Sequence, residues 1–361
     1  MTSIENTSDQ NIISVLHVFN DPKFSNGLFP FLLRNGFDLQ QHYLYHYRCS
    51  EGVSPSFGMR HCFVPNFWTP QGCLTLLSAL FRSEKIILHS IASPYLLLWL
   101  ILFPGLNKKV YWNIWGKDLY FFRVLNKKRL HHYVYELARR IVLKRVRTII
   151  TDNLGDYDLA RLWYGSQARL IRSFMYPSNL YHANRGQGTQ PARVMVQVGN
   201  SGDYSNNHIR IMQSLLAFRE RAFELFVPLA YGEPGYVNEV MTYGQQHFGS
   251  LFHGYTELIP LQEYQEIQSN VSIALFGHER QQGMGNIVTL IGMGKKVYLN
   301  RHVTTYQTLS GIGLTVFDLA KLDMQPIDPQ VAEANRHTVM TYFSEENLVK
   351  QWKEILDSSV T

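Results

Sequence analysis

The stretch Val271–Asn300 reads VSIALFGHERQQGMGNIVTLIGMGKKVYLN, and it decides the fold of the second half of the chain. Val271–Phe276 is an apolar run of strand length. After a glycine-containing loop, residues 287–293 form an apolar segment of helical type, which Gly294 ends before the β-rich run Lys296–Leu299. The order strand, loop, helix, strand predicts a right-handed βαβ unit in a parallel sheet.

The loop inside this unit is predicted to bind an anion. Open α/β sheets bind ligands at the carboxyl ends of their strands, and glycines let backbone N–H groups approach an anion at a helix N-terminus, for which Asn286 is the expected N-cap. An arginine fork suits phosphate oxygens, and glutamines add neutral hydrogen bonds. The alternative is an ordinary tight turn, because Gly-x-Gly is a weak motif. The residues of this expected diphosphate cradle are Arg280, Gln281, Gln282, Gly283, Gly285 and Asn286.

The size and charge of the chain narrow the class of protein. A length of 361 residues predicts two domains, and 45% hydrophobic with 17% charged residues is typical of a globular protein. The formal net charge of +6 indicates an anionic partner, which is nucleic acid, anionic lipid or a phosphorylated substrate.

The N-terminus and the cysteines bear on the compartment. The start, MTSIENTSDQN, is polar and contains acids, so no signal peptide is expected. Cys49, Cys62 and Cys73 are odd in number and lack metal-type spacing, which predicts reduced thiols in the cytosol.

Apolar runs in the first half predict alternating strands and helices. A helix is expected to open at residues 29–33, with Pro30 in its first turn. The most apolar run, residues 95–103, is shorter than the roughly 20 residues that a spanning helix needs. It is interpreted as a buried core helix, with a helix dipping into one leaflet as the alternative. The expected strands are 12–19, 85–88, 109–115, 147–151 and 168–174.

A basic amphipathic helix is predicted between Arg123 and Arg147, where nine Lys or Arg residues accompany one acid. Its apolar residues at helical spacing are Leu130, Val134, Leu137, Ile141 and Val142. Either the charges form the solvated face of a packed helix, or they contact anionic lipid head groups. The candidate membrane-binding residues are Lys127, Lys128, Arg129, Arg139, Arg140 and Lys144.

The domain boundary is predicted where glycine, proline and polar residues replace the apolar runs. Residues 1–178 would form an N-terminal domain, 179–192 a linker and 193–343 a C-terminal domain. A C-terminal helix within 344–361, with Ser344 as N-cap, is a candidate to return to the first domain. The expected strands of the second half are 193–198, 224–228, 251–254, 271–276 and 296–299.

Four motifs together resemble one enzyme family. They are IWGKDLY at 114–120, VGNSGDYSNNHI at 198–209, RQQGMGN at 280–286 and LNR at 299–301. This pattern is similar to the dTDP-N-acetylfucosamine:lipid II N-acetylfucosaminyltransferases, a 4-alpha-L-fucosyltransferase family of enterobacterial common antigen biosynthesis. The resemblance covers most of the chain, and the first hundred residues match more loosely. It implies a GT-B glycosyltransferase fold, in which two Rossmann-like α/β domains face each other across a cleft. The N-terminal domain, 1–178, would then be the acceptor-binding, membrane-facing domain, and 193–343 would be the nucleotide-sugar-binding domain.

The resemblance also implies an activity. A hexosyltransferase of this family would move a 4-acetamido-4,6-dideoxyhexose, N-acetylfucosamine, from dTDP to an undecaprenyl-diphosphate-linked glycan. The expected location is the cytoplasmic face of the bacterial inner membrane, as a peripheral protein. The alternatives are an O-antigen transferase that uses another dTDP-amino sugar, such as N-acetylviosamine, and a soluble sugar-nucleotide 2-epimerase. Nucleic acid is not an expected partner, because the basic residues lie in no recognition module.

The implied donor site unites the cradle with a second loop. Ser and Asn residues there either contact the ligand or cap the following helix, and the two roles are compatible. Thr289 lies where many nucleotide-sugar enzymes of this fold carry a ribose-binding glutamate, which suits a deoxyribose donor. Neither a cofactor nor a metal is expected, and Asp156-Tyr157-Asp158 is interpreted as acids at a helix start. Besides the cradle, the implied donor-binding residues are Gly199, Asn200, Ser201, Gly202, Ser205, Asn206, Asn300 and Arg301.

The general base is the remaining role to assign. A sugar transfer that inverts the configuration at the anomeric carbon needs a carboxylate or imidazole near the acceptor hydroxyl to take its proton. The candidates in the first domain are Asp118, His17, Asp21 and His89, each at a predicted strand end or loop. Asp118 is favoured, and its alternative role is to accept hydrogen bonds from turn amides.

Overall fold

The computed structural model describes residues 13–19, 22–46, 60–63, 70–91, 93–125, 127–183 and 193–358. The catalytic candidate Asp21, the thiols of Cys49 and Cys62 and most of the predicted linker lie outside what is described; Cys73 is a reduced thiol. The chain forms two compact units, one from Met1–Ser178 and Leu348–Thr361, the other from Asn179–Asn347.

In the part of the chain that the structure describes, the first unit contains a sheet of seven parallel strands. They are β1 (Ile13–Phe19), β2 (His42–His46), β3 (Arg60–Phe63), β4 (Ser83–His89), β5 (Val110–Asn113), β6 (Thr148–Ile150) and β7 (Arg169–Ile171). Their order is β3-β2-β1-β4-β5-β6-β7, so the winding reverses between β1 and β4. This is the doubly wound arrangement of dinucleotide-binding folds.

The described residues of the second unit repeat this plan with six parallel strands. They are β8 (Val194–Val198), β9 (Phe223–Pro228), β10 (Phe252–Tyr255), β11 (Val271–Phe276), β12 (Lys296–Leu299) and β13 (Phe317–Asp318). Their order is β10-β9-β8-β11-β12-β13, with the reversal between β8 and β11. The predicted βαβ unit therefore lies at the centre of this sheet.

Helices connect the parallel strands, as the crossover rule requires. They are α1 (Pro22–Arg34), α2 (Pro70–Arg82), α3 (Pro94–Leu102), α4 (Lys117–Val124), α5 (Leu130–Arg145), α6 (Leu154–Tyr164), α7 (His208–Leu215), α8 (Pro234–Phe248), α9 (Leu261–Asn270), α10 (Met284–Gly292), α11 (Thr304–Gly311), α12 (Pro329–Tyr342) and α13 (Glu345–Asp357).

Two helices of the first unit can be compared with the sequence predictions. The predicted start of α1 is wrong: the helix begins at Pro22, so Pro30 lies in its interior, on the exposed side. The apolar helix α3 starts at the N-cap Ser93 and buries Leu96, Leu97 and Leu100, as expected for a core helix. None of the described helices combines the length and the hydropathy that a membrane crossing requires.

The C-terminal helix α13 joins the first unit from Leu348 onward. Ser344 caps it, since the Asn347 amide donates to its hydroxyl at 3.1 Å. The fully buried Trp352 donates from its indole to the carbonyl of Met175 at 2.9 Å. The ammonium group of Lys85 on β4 donates to the carbonyl of Ile355 at 2.7 Å, where the helix end carries partial negative charge. The helix thus completes the core of the first unit.

Candidate functional site

The loops that follow β8 and β11 leave the second sheet at neighbouring positions. The two strands pair in parallel with Val198 opposite Leu275, and the amide of Gly199 donates to the carbonyl of Leu275 at 2.9 Å. The winding of the sheet reverses between these strands. Ligands of doubly wound sheets bind outside the carboxyl ends of the strands at this reversal.

The loop after β8 is held in shape by the buried side chain of Asn206. Its carbonyl oxygen accepts from the amide of Asn200 at 3.1 Å, and its amide group donates to the hydroxyl of Ser201 at 3.2 Å and to the carbonyl of Asp203 at 3.1 Å. Because its polar atoms are occupied within the loop, the geometry supports a structural role for Asn206. Gly202 also packs tightly, since a Cβ there would lie 2.6 Å from a backbone carbonyl.

Glycine is required at one position in each loop by both conformation and space. Gly199 has a φ of +68°, and a Cβ on it would lie 2.5 Å from Nε2 of His208. Gly283 has a φ of +65°, and a Cβ would lie 2.8 Å from the side-chain oxygen of Asn200. Side chains are disfavoured at such φ values and do not fit at such distances. Gly283 therefore lets the second loop approach Asn200 of the first, whereas Gly199 makes room for His208 at the start of α7.

Side chains also connect the two loops. Nε2 of the buried His278 lies 2.9 Å from the side-chain oxygen of Asn200 and 3.0 Å from that of Asn206. Burial, followed by the charges of Arg280 and His208, lowers the pKa of His278 to about 3, so the ring is neutral and its Nε2–H donates. The sequence analysis missed His278, although its position two residues beyond β11 places it at the carboxyl edge. Ser205 adds a second link by donating to Gln282 at 2.7 Å.

Two helices begin beside these loops without a side-chain cap. The N-cap of α10 is Gly283, and the predicted N-cap Asn286 is wrong: this residue lies within the first turn, where its side-chain oxygen accepts from the hydroxyl of Tyr264 at 2.6 Å. The N-cap of α7 is Asn207, whose amide group donates instead to the carbonyl of Gly277 at 2.8 Å. First-turn N–H groups carry partial positive charge, so this edge of the sheet suits an anion.

The remaining donor candidates lie at the same edge. Arg280 is partly buried, and its guanidinium group donates to the carbonyl of Gln281 at 3.3 Å. Asn300 follows β12 and accepts from the amide of His302 at 3.1 Å in a turn. Arg301 is exposed and lies 3.9 Å from a carboxylate oxygen of Asp318. Contacts of these residues, and of Gly285, with a ligand stay predictions.

In the first unit, the carboxylate of Asp118 is surrounded by N–H donors. One oxygen accepts from the indole of Trp112 at 2.8 Å and from the amide of Ile91 at 3.2 Å. The other accepts from the amides of Trp115 at 2.9 Å and Leu119 at 3.0 Å. Burial raises the pKa of Asp118 although these hydrogen bonds oppose the shift. The arrangement supports the structural alternative, in which Asp118 shapes the turn between β5 and α4.

His17 and His89 belong to a chain of buried hydrogen-bonded rings at the reversal of the first sheet. Nε2 of His17 lies 3.0 Å from Nδ1 of His42, and its Nδ1 lies 3.2 Å from Nε2 of His89. Nδ1 of His89 lies 2.5 Å from the hydroxyl of Tyr176. Burial, with the neighbouring rings, lowers the pKa of His17 and His89 well below 6.5, and burial lowers that of His42 to about 4. Both nitrogens of each catalytic candidate are thus already occupied by protein partners.

The basic helix α5 differs from the prediction in the face that it buries. Arg139 is fully buried, bonded to Glu136 at 3.2 Å and to the hydroxyl of Tyr164 at 3.0 Å, and it also donates to the carbonyl of Asp118. Its assignment as a membrane-binding residue is therefore wrong, whereas Lys127, Lys128, Arg129, Arg140 and Lys144 are exposed.

The predicted apolar face of α5 is mostly turned outward instead. Its exposed large side chains are Leu130, Tyr133, Val134 and Leu137, with 80, 53, 61 and 60% of their surface accessible, and we call them the α5 stripe. Of the apolar residues named from the sequence, Val142 is buried and Ile141 partly so. An apolar stripe of this size on a basic helix is a feature of interaction surfaces.

The acids at 156–158 start a helix, as expected. Asn153 caps α6 by accepting from the amide of Asp156, and the carboxylate of Asp156 accepts from the hydroxyl of Tyr120 at 2.9 Å. No group of three or more His, Cys, Asp or Glu residues suited to a metal ion occurs within the described residues.

Solved structures share this fold at low sequence identity. A glycosyltransferase from Rickettsia africae is 13% identical, with a TM-score of 0.61 over 96% of this chain and 98% of that one. HepE of Anabaena in complex with UDP-glucose is 10% identical, with a TM-score of 0.66 over 95% and 99%. Sucrose-phosphate synthase from Thermosynechococcus elongatus gives the same identity and TM-score over 95% and 98%. The fold is thus the GT-B fold of two-domain glycosyltransferases.

The family comparison decides between the predicted enzyme classes. Residues 77–361 match the model of the 4-alpha-L-fucosyltransferases, glycosyl transferase group 56. The comparisons lend no support to the epimerase alternative. The match spans most of the chain, from the second helix of the first unit to the C-terminus. The protein is therefore a member of the 4-alpha-L-fucosyltransferase family and a hexosyltransferase.

Proposed function

We propose that the protein transfers N-acetylfucosamine, a 4-acetamido-4,6-dideoxyhexose, from dTDP to an undecaprenyl-diphosphate-linked glycan at a membrane surface. The observation that carries the donor half of this proposal is the pair of linked loops at the reversal of the second sheet, which begin at Gly199 and Gly277 beside two uncapped helix N-termini. A nucleoside diphosphate is the anion that this arrangement suits best.

The residues of the cradle have distinct roles in this proposal. The N–H groups that begin α10 bind the diphosphate, and Arg280 stabilises the charge that builds on the leaving dTDP. The first N–H group of α7, that of His208, already donates to the hydroxyl of Tyr236 at 3.0 Å, so α7 contributes mainly through its partial positive charge. His278, as a neutral donor, fixes the side chain of Asn200 so that the loop keeps its shape before the ligand arrives. Thr289 on α10, in place of an acid, suits a nucleotide without a ribose 2′-hydroxyl.

The general base is assigned to the first unit, where the acceptor would bind. The geometry of Asp118, His17 and His89 leaves their polar atoms occupied by protein partners. Asp21 is the remaining candidate, and in the sequence it stands between the last residue of β1 and the first residue of α1, so it is our first choice for the base. Asp21→Asn should then lower turnover by about 10²–10⁴ without changing the affinity for dTDP.

The membrane half of the proposal depends on α5. The α5 stripe supplies apolar contact, and the exposed Lys127, Lys128, Arg129, Arg140 and Lys144 supply charges opposite to those of anionic lipids. Each such charge near the surface contributes about 1 kcal/mol. A peripheral position at the cytoplasmic face of the inner membrane would bring the enzyme to an acceptor that cannot leave the bilayer.

A transfer assay tests the proposed function directly. The purified protein is incubated with a short-chain polyprenyl-diphosphate disaccharide and, in separate reactions, with dTDP-N-acetylfucosamine, dTDP-N-acetylviosamine or UDP-N-acetylglucosamine, and the lipid product is measured by mass spectrometry. Transfer chiefly from dTDP-N-acetylfucosamine is expected. Preference for dTDP-N-acetylviosamine would favour the O-antigen alternative, and transfer only from the UDP-sugar would contradict the donor assignment.

A further inference from the structure

A pocket of about 340 Å³ lies in the first unit among α4, α5 and α6. Its lining comes from the end of α4, the segment before α5, the middle of α5 and the end of α6. The volume is within the range of small-molecule sites, roughly 300–1,000 Å³. None of its lining residues belongs to the donor loops, which are part of the second unit.

Three cationic side chains line this pocket: Arg123, Lys128 and Arg140. Aromatic walls hold two of them. The guanidinium carbon of Arg123 lies 4.0 Å from the ring centroid of Trp163, and the ammonium of Lys128 lies 5.2 Å from that of Phe122. Stacking on rings restricts these long side chains, so less conformational entropy is lost when an anion binds.

The charges of the pocket are not cancelled by its one lining acid. Glu136 lies 3.4 Å from Arg140, but it also lies 3.2 Å from the buried Arg139 behind the pocket. Three cations and one carboxylate leave the lining with a net charge of +2. A diphosphate diester carries two negative charges and a phosphodiester carries one, so the diphosphate matches the lining better.

The pocket opens onto apolar surface on the same helix. Tyr133 of the α5 stripe contacts the pocket wall, since its ring centroid lies 5.2 Å from that of Phe122 in an edge-to-face arrangement. A helix advances about 100° per residue, so Tyr133, Leu137 and Arg140 lie within one narrow sector of α5. The cationic pocket, which suits a diphosphate, is therefore continuous with the α5 stripe, which suits a hydrocarbon chain.

We propose that this pocket binds the diphosphate of the lipid-linked acceptor and that the polyprenyl chain lies along the α5 stripe. The inference rests on the proposed function, which supplies a polyprenyl diphosphate as acceptor. Arg123, Lys128 and Arg140 bind the diphosphate oxygens, and the aromatic walls hold Arg123 and Lys128 in place. The acceptor is then anchored independently of the dTDP-sugar.

Calorimetry with farnesyl diphosphate, a soluble polyprenyl diphosphate, tests the pocket. The titration is done with saturating dTDP, so that the nucleotide cradle is occupied. The double variant Arg123→Ala/Lys128→Ala should bind farnesyl diphosphate at least tenfold more weakly than the wild type, since two charge-assisted contacts are lost. Arg161→Ala removes an exposed arginine of α6 that does not line the pocket, and its affinity should stay within twofold of the wild type.

Two further ligands identify the source of the phosphate. Inorganic pyrophosphate should bind more weakly than farnesyl diphosphate but show the same dependence on Arg123 and Lys128. Short-chain phosphatidylglycerol, a soluble phosphodiester that forms no vesicles, should displace farnesyl diphosphate from the wild type only at concentrations at least tenfold above that of farnesyl diphosphate. Displacement at equal concentration, or equal affinity of the wild type and the double variant for farnesyl diphosphate, would overturn the assignment.

Stability and turnover separate the remaining explanations. Arg123→Gln/Lys128→Gln keeps side-chain length, and its weaker binding at an unchanged melting temperature excludes misfolding as the cause. In the transfer assay the variants should raise KM for the lipid-linked acceptor and leave kcat and the affinity for dTDP unchanged. A wild type that binds farnesyl diphosphate through these residues but transfers no sugar to a lipid acceptor would refute the proposed function and keep the pocket. Normal transfer with an unchanged KM in the variants would refute the pocket alone.

Discussion

At the scale of single residues, the polar side chains near both sheet reversals serve mainly to hold loops in shape. Asp118 accepts from four N–H groups, and Asn206 bonds across its own loop. A buried carboxylate with this many donors stabilises one backbone arrangement, because leaving any of those donors unpaired costs about 1–3 kcal/mol. Polar side chains that a sequence marks as catalytic candidates can thus serve to fix the backbone of a loop.

Asp118→Asn should therefore affect stability more than chemistry. The NH₂ group of the asparagine would face two N–H groups that now donate to a carboxylate oxygen, and those two hydrogen bonds would be lost. The free energy of unfolding should therefore fall by about 1–3 kcal/mol. Turnover of the folded protein should stay near that of the wild type. Thermal melting and kcat are measured on the same preparation. A drop in kcat of about 10² or more at an unchanged melting temperature would instead identify Asp118 as the base.

Gly283→Ala should weaken binding of dTDP by more than tenfold. The left-handed conformation costs an alanine about 1–2 kcal/mol, and the new Cβ would meet Asn200, so the loop must move away from the cradle. Gly311→Ala is the matched control, because this glycine has open space around its Cβ position and lies in α11. Isothermal calorimetry with dTDP compares the two. Equal affinities would show that the cradle does not use this loop.

At the scale of elements, α5 shows how a helix can reverse the burial that its sequence pattern indicates. The buried side contains the ion pair of Arg139 and Glu136, with Tyr164 as a further partner, and the exposed side contains the α5 stripe. A fully satisfied buried arginine is compatible with a folded core, whereas an exposed apolar stripe beside lysines and arginines favours contact with lipid.

The proposed membrane binding should depend on both the basic residues and the apolar residues of α5. Arg140→Glu/Lys144→Glu should abolish sedimentation with vesicles that contain phosphatidylglycerol, and high salt should release the wild type from them, since exposed charges are screened. Leu130→Ser/Leu137→Ser should weaken sedimentation at all salt concentrations. Lys350→Glu/Lys353→Glu on α13 changes the net charge by the same amount and is the matched control. Equal binding of the wild type to neutral and anionic vesicles would remove the electrostatic contribution.

At the scale of the whole molecule, both units bury neutral histidines. Burial lowers the pKa of His42 and His208 to about 4 and that of His278 to about 3, and it lowers the pKa of His17 and His89 well below 6.5. In the unfolded chain these groups bind protons near pH 6.5. The unfolded state therefore binds more protons than the folded state at mildly acidic pH.

The free energy of unfolding should consequently fall as the pH is lowered from 7 to 5.5. Each of these histidines removes at most about 1.4 kcal/mol per pH unit below pH 6.5, until its folded form is also protonated. Urea unfolding at constant ionic strength measures the slope. His42→Gln should make the slope smaller, because one such group is removed. A protein that becomes more stable between pH 7 and 5.5 would contradict the assignment of neutral buried rings.

Much of the architecture could be predicted because parallel strands buried on both faces are continuous apolar runs, as in β1, β4, β8 and β11. The strand β2 was not predicted, since its sequence HYLYH lacks such a run. The histidine chain was not predicted either, because His17 meets partners 25 and 72 residues away. The burial of Arg139 depends on main-chain carbonyls and on Tyr164, which periodicity does not reveal.

The contribution of α13 to the first unit has a consequence for synthesis. The ribosome makes residues 1–178, then the whole of Asn179–Asn347, and only afterwards α13. In this last helix Trp352 bonds to Met175, and the carbonyl of Ile355 accepts from Lys85. At about 5–20 residues per second, the first unit waits roughly ten to forty seconds for its last core helix. The second unit, which is continuous in sequence, can finish its sheet during that interval, so the half that is translated first is the half that matures last.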